Sequence, residues 1–580
     1  MGVVATAVAD GTAVARNAPS AALDTTYLQD SIETARALIK MVGADDGSGP
    51  VRGVHEYLGD IYAWRDNAAA TACLMYKQTT DGWALQELGN RVAFTGPNDG
   101  TSVEYVEGET ITGTTSGASA VIRRVVLTDT LGVWGANGDV DVAGYFIIGD
   151  VTGGPFQAEA TTGSIAGVVP ITGAETANTM APGGRYELVN DNFFGSSFTK
   201  RMYGVNGVSE AFEWDGTVFV PIITGNVIDT PEHIVVNEFH LQLGFPNGSL
   251  QNSATGEPYV WAGGGAAEIG VGHIIVGLVK EVGQVLIILC RNRTFGLYGK
   301  NTTDLPWDLK PISEESGGIE WTLQRLGKTL WLDDRGFMSL EAVQEFGDFG
   351  DSAYSQIIEP LVTAKKTEAV SSIIVKNKHQ LRTFFSDGTG IIATFNNNKL
   401  AGFTVMRYVD DAGTTIPVSV TANGESAEGA EVLYFGSTNG FVYQMDSGTS
   451  LDGDPVDATM IWSYFHAGSP AYNKQWMKVI IEADGTTGTT IFYNTQYDWA
   501  SGVEPVGITL TKELEAGGAY WDTAVWDAFS WAGEDVTLIE GDANGKGRSI
   551  SLQISSSSTY TLPHTLYAAT LHYIKRRLVR

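Results

Sequence analysis

The sequence predicts a mainly β protein: β-propeller-like repeated blades, broken by an inserted small β domain and followed by a C-terminal β-sandwich-like domain. Three observations carry this. First, a hairpin unit recurs. Gly327 to Glu341 reads GKTLWLDDRGFMSLE, an apolar run, a tight Asp/Gly turn and a returning run, which is the pattern of two short antiparallel strands. The same shape returns in Val285 to Gly299, His379 to Phe395 and Glu431 to Met445. Second, the turn glycines Gly336, Gly388 and Gly440 fall at equal intervals of 52 residues, close to the ~40–50 residues of a four-stranded propeller blade. Third, 70 glycines stand against 18 prolines, which favours many turns, and sustained helical periodicity is rare.

Taken in order, residues 1–26 are small and polar and read as an arm. Tyr27 to Val42 predicts a helix, with Leu28, Ile32, Ala35 and Ile39 at helical spacing and Asp24, Thr25 or Thr26 as its cap. It either packs on its own domain or docks on a neighbouring subunit. Residues 1–50 therefore form an N-terminal arm and helix, and 51–98 a first blade segment with strands around Tyr57 to Trp64 and Ala72 to Tyr76. Residues 99–180 change character, being rich in Thr, Gly and Val, and predict a small β domain inserted at a loop tip. The aromatic style resumes over 181–455, the remaining blades, where Asn206-Gly207 and Asp215-Gly216 supply the positive φ of tight turns. A separate β domain fills 456–580 and ends in Lys575-Arg576-Arg577-Leu578-Val579-Arg580.

Composition narrows the function. A chain of 580 residues that is 43% hydrophobic buries ample core, so disorder is not expected. The net charge is −31, which argues against gripping nucleic-acid phosphates over the whole surface, since that binding needs Lys and Arg. Cys73 and Cys290 are the only cysteines, too few for a disulfide framework or a cysteine zinc site, and they suit a reducing compartment. The longest apolar stretch, Ile274 to Cys290, is interrupted by Lys280 and Glu281, so no membrane span is expected.

Catalytic motifs fail on inspection. His55-Glu56 begins like a zinc-protease helix, but Gly59 stands where the second His belongs. Gly541 to Gly547 is one residue short of a phosphate loop and lacks its Ser/Thr; as a calcium loop it has Lys546 where an acid belongs. The acidic pairs Glu314-Glu315, Asp333-Asp334 and Asp410-Asp411 are expected as solvated turn residues, because neighbours on a strand point to opposite faces and a glycosidase needs two facing carboxyls. Trp521, Trp526 and Trp531 are expected to pack in a sheet, with a sugar platform as the alternative. No catalytic, cofactor or metal residues are assigned. The basic residues Lys575, Arg576, Arg577 and Arg580 are the candidate partner-docking group.

Gly183 to Ile222, the Leu297-Tyr298-Gly299 and Gly336-Phe337 turns and the terminal LHYIKRRLVR resemble the tail nozzle of short-tailed bacteriophages, also called tubular tail protein B or head-completion (stabilisation) protein. The resemblance covers 51–94 and 183–580 and leaves out the arm and the insert. It implies a non-enzymatic, propeller-bearing virion subunit without a cofactor. Six copies would form a tube below the portal and adaptor ring, assembled in the bacterial cytoplasm, contacting tail fibres or tip proteins and passing double-stranded DNA without specific binding. An acidic bore would repel the duplex, within the ~8 Å reach that salt allows. The alternatives are a glycan-binding or carbohydrate-active propeller, or another tail hub or fibre-attachment protein.

Overall fold

The computed structural model describes residues 23–24 and 48–578, except 80–81, 97–103, 129–133, 135–140, 165–167, 194–199, 341–353, 397–398, 410–412, 427–428, 448–449, 452–453, 486–489, 499–509, 514–536 and 558–563. The helix expected over Tyr27 to Val42 lies outside these residues.

Seven small antiparallel sheets follow one another along the chain as meanders, each beginning with its inner strand. Those seven first strands are Ser48–Tyr57, Glu187–Asp191, His233–Asn237, Ile275–Glu281, Gln324–Leu326, Ala369–Val375 and Val418–Glu425. Successive blades touch through them, except that the first strand of blade 4 meets blade 5 at its second strand, Lys328–Asp333, and the seventh touches the first. The result is a closed seven-bladed β-propeller. Blades 5 and 7 have three strands among the described residues, and the other five have four. A short helix, Glu359–Lys365, leads into blade 6 and buries Val362 against its core.

The recurring hairpins occupy one equivalent place. Each joins the second and third strands of its blade: Val285–Cys290 to Thr294–Tyr298, Lys328–Asp333 to Gly336–Ser339, Gln380–Phe385 to Thr389–Asn396, and Glu431–Ser437 to Val442–Met445. Gly336, Gly388 and Gly440 sit at these turns with φ of 131°, 82° and 89°, conformations that L side chains rarely adopt. Their 52-residue spacing marks equivalent hairpins in blades 5 to 7, while the first strands of blades 2 to 7 begin 42–49 residues apart.

Closure between blades 1 and 7 uses packing, with no exchanged strand among the described residues. Val51, Val54, Ile61 and Ala63 form one cluster with Val420, Ala422 and Val442, and Ser419 Oγ donates to the Val51 carbonyl at 2.8 Å. A Cβ on Gly436 would come within 2.6 Å of the Val51 side chain, so this contact requires glycine.

The insert is a closed six-stranded barrel. Its strands run Asn90–Gly96, Val142–Ile148, Ser119–Leu127, Thr110–Gly113, Glu159–Gly163 and Val168–Ile171, the last returning to the first, with Thr176–Ala177 added outside. It begins at Asn90, earlier than the residue 99 expected, because Val92 and Phe94 point into the barrel core rather than a blade. The barrel is fixed to the propeller: Val126, Tyr145 and Ile147 share a core with Val205, Val220 and Leu241 of blades 2 and 3. Arg124 pairs with Glu107 and Glu213, both at 2.9 Å, and with Asp215. Glu213, fully buried, also receives Arg201 at 2.7 Å and the Tyr259 hydroxyl at 2.5 Å.

The C-terminal domain is a two-sheet sandwich. Tyr472–Gly485, Thr537–Gly547 and His564–Leu578 form one sheet, and Asp457–Ile461, Thr490–Tyr497, Leu510–Glu513 and Ile550–Ser557 the other. Trp476, Val479, Ile481, Tyr493, Ile539 and Leu552 fill the space between them. Leu23–Asp24 pairs with Leu566 and Thr565, so at that point the arm joins its own chain's sandwich.

Gly336→Val should lower stability by about 1–3 kcal/mol, the usual cost of a forced backbone conformation, read as a lower thermal midpoint. Arg124→Ala should cost about 3–5 kcal/mol because it leaves buried carboxylates under-compensated. Limited proteolysis should then cut first between the barrel and blade 2.

Candidate functional site

The inner strands converge on the propeller axis, where they enclose a cavity of about 210 Å³ lined by residues from all seven blades. It opens toward the side where the inner strands begin, into a wider hollow of about 720 Å³. Arg185, just ahead of the inner strand of blade 2, closes the throat. Its guanidinium donates to the Val370 carbonyl and, at 2.9 Å, to Ser371 Oγ in blade 6, and lies 4.3 Å from the Trp321 ring. The side chain therefore spans from blade 2 to blade 6. Burial lowers its pKa to about 10, partly offset by Glu320 and Glu187, and it stays charged.

Trp321 is held in an unusual conformation, with φ at +63°. Bulky residues rarely adopt it, and such outliers cluster at functional sites. Its loop is pinned on several sides. Ser372 Oγ donates to the Trp321 carbonyl at 2.8 Å, Thr322 Oγ1 to that of Ile319 at 2.6 Å, and Trp331 Nε1 to that of Gly317 at 2.8 Å.

Beside Trp321, the buried His233 ring lies 5.0 Å away. Its Nδ1 is 2.8 Å from Glu187 Oε2, and its buried Nε2 has no hydrogen-bond partner. Glu232, His233 and Glu320 each offer a ligand atom, all within 4.8 Å of one another. Burial opposes charge on His233, but Glu187, Glu232 and Glu320 outweigh it and raise its pKa. Glu320 is raised well above the ordinary carboxylate range, first by burial and then by Glu232 beside it. Deeper in, His55 lies on the inner strand of blade 1, with Nε2 3.0 Å from Asn190 Oδ1. Burial depresses its pKa to about 4, so it is neutral, and it sits on a strand rather than a helix.

No sequence motif marks this throat, since Arg185, His233 and Trp321 come from three separate blades. Aligning the blades by their inner strands is the signal that finds them, because residues at or just ahead of the start of each inner strand meet at one mouth.

Other candidates lie elsewhere. Asp333, expected to be solvated, is only 4% exposed, because the second strand of blade 5 carries it inward to pair with Arg335 at 2.9 Å. Asp334 pairs with Arg291 at 2.9 Å and Lys366 at 3.5 Å. Glu314 and Glu315 are exposed. Gly541 and Gly545 lie on a strand beneath Tyr493 and Tyr497, whose rings fill the space a Cβ would need. Asp410, Asp411 and the three tryptophans Trp521, Trp526 and Trp531 fall outside the described residues.

The basic group ends a 15-residue strand, His564–Leu578. Lys575 Nζ lies 3.8 Å over the Tyr472 ring, and Arg576 donates to Gln475 Oε1 at 2.9 Å. The backbone of Arg577 belongs to the same strand; its side chain and Arg580 lie outside the described residues. Beyond Leu566 this strand has no further partner on its outer side among the described residues. Tyr567, Tyr573 and Ile574 on it are 41%, 41% and 50% exposed.

No family model matches the chain, and no curated protein matches it. Among solved structures, it is similar to the computationally designed Ika8 protein at 9% identity and a TM-score of 0.31, covering 70% of this chain and 99% of that one. YCF48 bound to D1 peptide gives 9% and 0.29 over 59% of this chain and 96% of that one. Chaetomium thermophilum Raptor gives 8% and 0.32 over 62% of this chain and 28% of that one.

Arg185→Ala should lower the unfolding free energy by about 1–3 kcal/mol, since it leaves the partly buried Val370 carbonyl without its guanidinium donor. Arg185→Lys should recover only part of this, because an ammonium lacks the planar fork that stacks and bridges. Denaturant unfolding with unchanged slope measures both.

Proposed function

We propose that this protein is a structural virion subunit, a tail-nozzle component that assembles into a ring extending the DNA channel below portal and adaptor. The observation that carries the reading is the open edge of the strand His564–Leu578. Beyond Leu566 its outer side pairs with no other strand among the described residues, and it carries apolar side chains at Tyr567, Tyr573 and Ile574 and positive charge at Lys575 and Arg576. An exposed edge is a template for pairing with another chain. On a chain of net charge −31, a positive strand end is complementary to the acidic surface of a second copy, which favours encounter and sets register.

Two further features support it. Arg185 crosses the propeller axis from blade 2 to blade 6, so a duplex does not pass through one propeller, and a conduit lies between copies. The barrel and propeller share a core, giving a stiff body suited to a wall. The excess of acidic residues, facing such a bore, would repel the duplex without holding it.

Mass photometry of the purified protein, alone and with portal–adaptor complexes, tests this. A discrete oligomer is expected in at least one condition; a monomer in both contradicts the proposal. Lys575→Glu with Arg576→Glu should weaken assembly at least tenfold with the thermal midpoint unchanged, and raised salt should mimic it.

A further inference from the structure

We propose that Glu232, His233 and Glu320 bind a divalent transition-metal cation, of the zinc or manganese class, at the mouth of the propeller channel. The inference does not depend on the ring reading.

The ligand set is chemically apt: two carboxylates and an imidazole, the donors found in zinc sites and shared by manganese. With Nδ1 held against Glu187 at 2.8 Å, the imidazole nitrogen left to offer is Nε2, which is buried and has no hydrogen-bond partner. An orphaned buried nitrogen normally costs stability, and a bound cation would satisfy it. The Glu187–His233 contact is also the arrangement that fixes ring orientation and raises ligand basicity in metal sites, a carboxylate behind a coordinating histidine.

A ring nitrogen of His233 and a carboxylate oxygen of each of Glu232 and Glu320 lie within 4.8 Å of one another. Metal bonds of about 2.0–2.2 Å require a somewhat closer set, which small rotations of the partly exposed Glu232 and Glu320 side chains supply. His233 begins the inner strand of blade 3, and the amide of Glu232 donates to the Gly244 carbonyl at 2.9 Å. Glu320 sits beside Trp321 in the pinned loop, where the Ile319 amide donates to Leu332 at 2.8 Å. The backbones that carry the ligands are therefore fixed before any ion arrives. Glu320 lines the 720 Å³ hollow, so the ion has an entry path, and three protein ligands leave a coordination position facing that space.

Arg185 is the competing cation. It neighbours Glu320 and Glu187, but its hydrogen bonds go to Val370 and Ser371 and its face to Trp321, which leaves the trio without a direct guanidinium contact in those bonds.

The test is equilibrium dialysis of chelator-stripped full-length protein against zinc and, separately, manganese, with bound metal counted per chain. A chain this acidic collects cations loosely, so the variants decide. Wild type should bind one ion at a site that Glu320→Gln and Glu232→Gln each weaken at least tenfold, with circular dichroism unchanged. Glu187→Gln, which leaves all three ligands in place, should weaken it about 10–100-fold. In cobalt-loaded protein the visible absorption bands should change in Glu187→Gln. The proposal is overturned if folded wild type holds no stoichiometric ion at millimolar metal, or if Glu320→Gln and Glu232→Gln bind as wild type does, which would mean adventitious surface binding only. It is equally overturned if the trio proves to share a proton with no metal dependence of the thermal midpoint.

Discussion

Closure of the blade ring without a shared strand is the constraint on which the rest depends. Among the described residues each blade is built from one continuous stretch of chain, so blade 7 holds blade 1 through side chains. The Val51–Val54–Val420–Val442 cluster and the Ser419 hydrogen bond to Val51 do this, and Gly436 allows the approach. Non-directional apolar burial, about 25 cal/mol per Å², thus replaces the ladder of hydrogen bonds that an exchanged strand would give. Arg185 adds a brace across the axis, a charged side chain anchored to a blade it does not adjoin.

That brace also explains the mouth. Charged and aromatic groups there must be satisfied by partners from different blades, and most are. Arg185 has Val370, Ser371 and Trp321; Glu187 has His233. Among the exceptions is His233, whose Nε2 has no hydrogen-bond partner and whose ring stands beside Glu232 and Glu320. A well-packed region with an unmet polar need, reached by a strained tryptophan backbone, is where local rules have yielded to something other than stability.

Much of the fold was legible from turn chemistry. The turn glycines Gly336, Gly388 and Gly440, at 52-residue intervals, mark equivalent hairpins because each sits at positive φ. The change of composition near residue 100 announced the barrel, though its first strand, with Val92 and Phe94, reads like any apolar strand and did not reveal which core it enters. The sandwich followed from the shift in style after residue 455. The throat was not legible, because it is assembled by ring closure from residues more than forty positions apart, and a linear motif search has no term for that. Asp333 was misjudged for a related reason: an acid beside a turn reads as solvated until the blade that buries it, and the Arg335 that pairs with it, are in place. The basic terminus was recognised as a feature, but its standing as the end of a long open-edged strand needed the pairing with Tyr472–Gly485.

In the proposed nozzle, one chain supplies a wall segment and several chains make the conduit. Negative-stain imaging of the purified assembly tests it most directly. The account predicts end-on views showing a hollow ring with countable symmetry, its opening bounded by several propellers and wider than any one of them could provide. Isolated seven-bladed discs, or packed clusters with no central opening, would contradict it.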